Sequence, residues 1–201
     1  MMQKIIIGKK LGMTRMFHQG TSVPVTVICA TPNTIIKVYK SDNNSGNVQI
    51  GAGSINPKKI NKPMAGHLKS SGATPQIINE FKIDDTKDFK IGEKISVEQF
   101  SAGEKVKITS VTKGKGFAGV IKRHGFHRGP ETHGSDHHRS TGSIGGGYPQ
   151  RVVKGRKMPG QLGNKVCTLK NIEIVDVVKE DNLLLLKGSI PGAKGWVKIQ
   201  L

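Results

Sequence analysis

Val23-Pro24-Val25-Thr26-Val27-Ile28-Cys29-Ala30, Thr34-Ile35-Ile36-Lys37-Val38-Tyr39-Lys40 and Asn47-Val48-Gln49-Ile50-Gly51-Ala52-Gly53 are three short runs rich in β-branched residues, set apart by stretches containing Gly, Pro or Asn. Branched side chains suit a pleated, half-buried surface, so the runs read as strands joined by turns. Asp42-Asn43-Asn44-Ser45-Gly46 reads as the hairpin loop between two of them. Working outward, Ile5-Ile6-Ile7, bounded by Gly8, reads as a further short strand before the runs, and a second strand-rich set follows at 76–83, 93–97 and 105–112. A third set occupies 165–178, 182–187 and 196–199. Strands at this spacing predict a mostly antiparallel barrel. Helical signal is sparse. Asn61 as a cap, Pro63 early and Gly72 as a stop predict one short helix, and 117–124 predicts two further turns.

From 125 to 163 the strand pattern stops. The segment is crowded with Gly, His, Arg and Lys, and its few aliphatic residues include Ile144, Val152, Val153, Met158 and Leu162. Fixing each backbone residue costs roughly 1–2 kcal/mol, so ordering such a stretch requires something outside the chain. Phe117-Ala118-Gly119-Val120-Ile121 and Val152-Val153 are expected to anchor it, with Pro130, Pro149 and Pro159 as stiffeners.

The charge points to the outside agent. Lys and Arg number 32 against 14 acidic residues, a formal +18, which calls for a polyanionic partner. Between 113 and 165 lie Lys113, Lys115, Lys122, Arg123, Arg128, Arg139, Arg151, Lys154, Arg156, Lys157 and Lys165, against only Glu131 and Asp136. Half the excess charge therefore sits in a quarter of the chain. His124, His127, His133, His137 and His138 are there too, and His and Arg stack on unpaired bases. About eight phosphate contacts would lose roughly 10³–10⁵ in affinity between 50 and 200 mM salt. Aromatic platforms in this window are limited to Phe117, Phe126 and Tyr148, which favours a protein fitted to folded RNA over a stacking single-strand binder.

Other classes fare worse. No apolar run approaches the roughly 18 residues of a membrane span, and Ile5-Ile6-Ile7 is too short for an export signal. Cys29 and Cys167 lack a C-x-x-C spacing and read as buried thiols of a reducing compartment. Gly114-Lys115-Gly116-Phe117-Ala118-Gly119 satisfies G-x-G-x-x-G, yet no return strand follows the short helix and the acidic position falls at Asp136 in a basic loop. His133, His137 and His138 have zinc-compatible chemistry, but Gly134-Ser135-Asp136 is a poor helix on which to assemble them. A nucleotide- or metal-dependent enzyme using that loop or those histidines is the alternative reading, and no nucleophilic triad or carboxylate pair supports it.

Ile7-Gly8-Lys9-Lys10-Leu11-Gly12-Met13-Thr14-Arg15-Met16-Phe17 and Lys113-Gly114-Lys115-Gly116-Phe117-Ala118-Gly119-Val120-Ile121-Lys122-Arg123-His124-Gly125-Phe126 closely resemble the bacterial form of large-subunit ribosomal protein three. The likeness continues in register through Thr132-His133-Gly134, Gly142-Ser143-Ile144-Gly145, Arg151-Val152-Val153-Lys154-Gly155-Arg156-Lys157-Met158-Pro159-Gly160 and Leu186-Lys187-Gly188-Ser189-Ile190-Pro191-Gly192. It covers essentially the whole chain.

This resemblance implies a mainly β, translation-protein type antiparallel barrel from 1–112 and 166–201, with short helices near 57–72. Residues 113–165 would form a basic, Gly-rich finger reaching through large-subunit rRNA toward the peptidyl-transferase centre. It implies early action in subunit assembly, neighbouring large-subunit proteins, a cytoplasmic ribosome (no transit peptide is seen), and neither catalysis, cofactor, metal, membrane nor small-molecule substrate. The rRNA contacts are expected at Lys9, Lys10, Arg15, Lys113, Lys115, Lys122, Arg123, His124, Arg128, His133, His137, His138, Arg139, Ser143, Tyr148, Arg151, Lys154, Arg156, Lys157 and Lys165. Ser143 and Tyr148 would lie near the finger tip. Some members carry an N-methylated Gln two residues before a tip Pro. Here Gly147 holds that place before Pro149 and Gln150 follows it, so Gln150 is expected to be unmodified.

Overall fold

The computed structural model describes residues 3–18, 20–40, 46–84 and 86–201. The strands, in chain order, are β1 (Ile5–His18), β2 (Thr21–Cys29), β3 (Asn33–Lys40), β4 (Gly46–Ala52), β5 (Ile77–Ile83), β6 (Lys94–Ile95), β7 (Lys105–Val111), β8 (Phe117–Ala118), β9 (Gly160–Gln161), β10 (Val166–Val178), β11 (Leu183–Lys187) and β12 (Trp196–Gln200). The helices are α1 (Lys62–Leu68) and α2 (Val120–His124), with single 3₁₀ turns at Pro57–Lys59 and Val97–Gln99. The expected 42–46 hairpin loop lies outside the described residues except for Gly46, which pairs with Lys40 across β3 and β4. The chain divides into two compact units, one of Met1–Val111 with Val166–Leu201 and one of Thr112–Lys165.

In the first unit β1, β12, β7, β10, β11 and β2 close a barrel in that order, and the strand pairs are antiparallel. A four-stranded sheet, β5-β4-β3-β6, is separate from it, a division that the run of strands alone did not reveal. Ile5-Ile6-Ile7 explains how both are served. Successive side chains on a strand point to opposite faces. Ile6 joins the barrel interior with Ile28, Val106, Ile108, Ile174, Leu184, Leu186 and Ile199, while Ile5 and Ile7 join Ile35, Val48, Ile50, Phe81 and Ile83 of the sheet's core. A continuous apolar run is the mark of a strand buried on both faces.

The strand also runs on through Gly8 to His18, where the sequence had suggested an end. A Cβ on Gly8 would come within 2.3 Å of Ile28 Cγ2, so this glycine serves close strand packing rather than a turn. Asn33, fully buried, satisfies the backbone beside it: its Nδ2 donates to the carbonyls of Ile7 and Thr31, and its Oδ1 accepts from Ile7 N–H at 2.6 Å. The edge strand β5 is tied down by β12. Lys198 Nζ donates to Glu80 O at 3.1 Å over the Phe81 ring, and Gln200 Nε2 donates to Lys82 O. Burial pushes the Lys198 ammonium below its usual range, with Glu80 acting weakly in the other direction.

Three local expectations are corrected. Asn61 precedes α1 without a side-chain capping bond, whereas Asn56 Oδ1 accepts from Lys58 N–H to cap the 3₁₀ turn. Phe117 and Ala118 are strand, paired with Gln161 and Gly160, so only Val120–His124 is helical. Cys29 and Cys167 are free thiols but half-buried: Cys29 alternates with the interior Ile28, and Cys167 lies level with Ser110 and Val197 near the start of β10.

Candidate nucleic-acid interface

In the second unit the chain leaves and returns side by side. Thr112 N–H donates to Lys165 O at 2.9 Å, Lys165 N–H to Thr112 Oγ1, Lys115 N–H to Leu162 O and Leu162 N–H to Gly116 O. The G-x-G-x-x-G stretch is thus engaged in strand pairing. Its N–H groups meet the returning chain instead of forming an open phosphate cradle, and the helix after it has five residues. Gly116 takes a positive φ of 66°, which allows the bend into β8.

α2 then ends at Gly125, whose φ of 71° and N–H to Ile121 O terminate it in the left-handed manner. Arg123 Nη1 donates to Met158 O at 2.6 Å, and His124 Nε2 lies 3.1 Å from the same oxygen, so these two residues fasten the returning chain to α2. The guanidinium lies close against the return, so that a Cβ on Gly160 would meet Arg123 Nη1 at 2.7 Å and the arginine would have to shift. Both are half-buried, as is His138, whose Nδ1 is 2.8 Å from Pro130 O.

The remaining cations face outward. Lys113, Lys115, Lys122, Arg128, Arg139, Arg151, Lys154, Arg156, Lys157 and Lys165 are exposed, together with His133, His137, Ser143 and Tyr148. Arg128 pairs with Glu131, and Arg156 donates to Ser143 O. Ser143 Oγ donates to Gly145 O, shaping the Gly-rich bend. Tyr148 is 91% exposed and Phe117 78%, so two aromatic faces stand free of the unit's own packing. Phe117 therefore is not an anchor. Strand alternation turns it out and turns Ala118 in, and Ala118 and Val120 are the buried apolar residues of this unit. Val152 and Val153 are exposed as well, because no strand partner or apolar layer lies opposite them.

Lys9, Lys10 and Arg15 belong to β1 in the first unit. Lys9 and Arg15 are exposed, and Lys10 Nζ donates to Ile190 O at 2.6 Å. Beside Arg15, Phe17 is 81% exposed, a surface aromatic that charge counting passed over. Only its alternation with Met16 in an extended strand could have flagged it. Among the described residues no group of three or more His, Cys, Asp or Glu is arranged to hold a metal, and no helix is long and apolar enough to cross a membrane.

Comparison with known proteins agrees with the motifs. The family model for ribosomal protein L3 matches residues 63–186. A large ribosomal subunit protein uL3 of Carboxydothermus hydrogenoformans is 46% identical over 201 residues, covering 98% of this chain and 96% of that protein. That of Heliobacterium modesticaldum is 46% identical over 198 residues (96% and 94%), and that of Brachyspira pilosicoli 43% over 199 residues (96% and 91%). With a family match over more than half its length and relatives aligned nearly end to end, the chain belongs to the ribosomal protein L3 family, whose members are structural proteins and not enzymes.

Proposed function

We propose that this protein is a structural constituent of the large subunit of a cytoplasmic ribosome, and that it binds large-subunit rRNA early in assembly through Thr112–Lys165. That unit runs toward the peptidyl-transferase centre, while the barrel lies at the subunit surface beside neighbouring proteins. The observation that carries this is the pairing of ten outward-facing cations with a unit whose buried apolar residues are Ala118 and Val120. Such a segment gains its order from phosphates that neutralise it. Arg123, His124 and Arg156 contribute partly by shaping the unit, since each already donates to or contacts a backbone carbonyl. Lys9, Lys10 and Arg15 add contacts from β1. Gln150 carries no methyl group, which intact mass of ribosome-derived protein checks.

The test is equilibrium binding to transcribed large-subunit rRNA across a salt series. A steep linear fall of log affinity with log salt, with a slope of about −0.7 to −0.9 per phosphate contact, is expected. A flat dependence would remove the proposal. Crosslinking within the intact subunit should then place the Thr112–Lys165 peptides against rRNA.

A further inference from the structure

Within the Thr112–Lys165 unit three passes of chain border an open, shallow pocket of about 630 Å³. Residues 124–129 form one side, His137 with 140–142 a second, and Lys157 borders the third. Hydrogen bonds fix the walls: Gly129 N–H donates to His138 O at 3.0 Å, and the His124 side-chain Nε2 reaches the Met158 carbonyl. The crossing is so close that a Cβ on Gly129 would stand 2.2 Å from the His137 carbonyl oxygen, a backbone atom with no freedom to yield. Glycine at 129 is therefore what permits the pocket.

Its lining has a particular chemistry. The half-buried Phe126 ring, tilted 46° against His124 at 6.1 Å, offers a flat apolar surface. His127 and His137 add imidazole planes and ring nitrogens, while Lys157 and Arg128 supply positive charge. Arg128 also pairs with Glu131, but that pair is exposed and a phosphate can replace it. No carboxylate lines the space. Aromatic and imidazole faces beside cations match a base and its phosphate, and a volume of several hundred Å³ admits one nucleotide. Bases inside a duplex are stacked and their faces hidden; an unpaired base is free to leave the stack.

We infer that this pocket seats a single unpaired nucleotide of the large-subunit rRNA, its base against Phe126 and its phosphate toward Lys157. The inference rests on the RNA-binding role proposed above and adds that one part of the unit reads an extruded base, where the outward-facing cations read only backbone charge.

The full chain, bound to transcribed large-subunit rRNA and separately to adenosine 5′-monophosphate, provides the test. Phe126→Leu should weaken rRNA affinity about tenfold and leave the salt slope unchanged, because a stacking surface is lost and no charge is removed. Phe126→Tyr keeps the ring and should stay within about threefold of the parent. Short-wave ultraviolet crosslinking should place a nucleotide adduct on the 124–129 peptide, lost in Phe126→Leu and in Gly129→Ala. Thermal melting of each variant reports that the barrel remains folded. Parental affinity in Phe126→Leu, or adducts elsewhere and none on 124–129, would overturn the inference while leaving the RNA-binding role intact. Saturable adenosine monophosphate binding with rRNA affinity indifferent to Phe126→Leu would overturn it in favour of a free-nucleotide site. If the parent protein shows no salt-dependent rRNA affinity, the RNA-binding role itself fails.

Discussion

The two units of this chain reach order by opposite means. In the first, interlocking isoleucine, leucine and phenylalanine layers fill a barrel and back a second sheet, so its stability is internal. In the second, backbone glycines, carbonyl contacts from Arg123 and His124 and a pair of small buried residues hold the path, while the charges point away. The lesson is that a local absence of apolar pattern marks a segment built for a partner when it is bounded by hydrogen-bonded exit and return strands and loaded with one sign of charge.

The sharpest contrast is in truncation. Ile108→Ala should cost about 2–5 kcal/mol in denaturant unfolding, because a fully buried barrel side chain leaves a cavity. Val153→Ala, at an exposed position of the second unit, should change stability by less than about 0.5 kcal/mol. Comparable losses at the two positions would break the distinction.

Next in size is Asn33→Ala. It leaves the N–H and carbonyl of Ile7 without their side-chain partner in a fully buried place, and chemical denaturation should show a loss of about 1–3 kcal/mol. A neutral result would mean that strand packing at Ile7 compensates.

Removing three outward cations together, Lys154→Ala, Lys157→Ala and Lys165→Ala, should leave the melting temperature unchanged and lower the salt slope of rRNA binding by about 2. An unchanged slope would place the phosphates elsewhere on the chain.

The smallest effect belongs to a surface pair of the first unit. Burial tends to raise the Glu104 carboxyl, but the hydrogen bond and charge of Lys4 and the Ser101 N–H outweigh it and hold it below the usual 4.5. A carboxylate depressed in the folded state stabilises above its unfolded value, and that contribution disappears as pH falls through the folded one. Lys4→Met should therefore cost about 0.2–1 kcal/mol near neutrality, and the difference from the parent should close as pH drops below about 4.5. A gap that persists in acid would assign the loss to packing.

Much of this was legible in the amino-acid order. Strand positions followed from β-branched runs and turn residues, and the second unit from the charge between 113 and 165. What stayed hidden depends on contacts distant in sequence. Gly8 looked like a stop because a packing glycine and a turn glycine are the same letter, and only Ile28 across the strand tells them apart. The separation of barrel and sheet lies in which face each of Ile5, Ile6 and Ile7 presents. In the second unit the cations between 113 and 165 are exposed apart from Arg123, whereas the clamping contacts of Arg123 and His124 on Met158 could not be read from residue type. Val152 and Val153 misled because hydrophobicity alone does not supply a partner.

The central claim, that the Thr112–Lys165 unit carries rRNA affinity and the barrel carries stability, admits one direct measurement. Thr112 and Lys165 are hydrogen-bonded to each other directly after β7 and before β10, so a two-residue Asn-Gly turn can replace 113–164 and close β7 onto β10. The shortened protein should unfold as cooperatively as the parent while its affinity for transcribed large-subunit rRNA at fixed salt falls at least about a hundredfold. A folded variant that binds within about threefold of the parent would contradict the account.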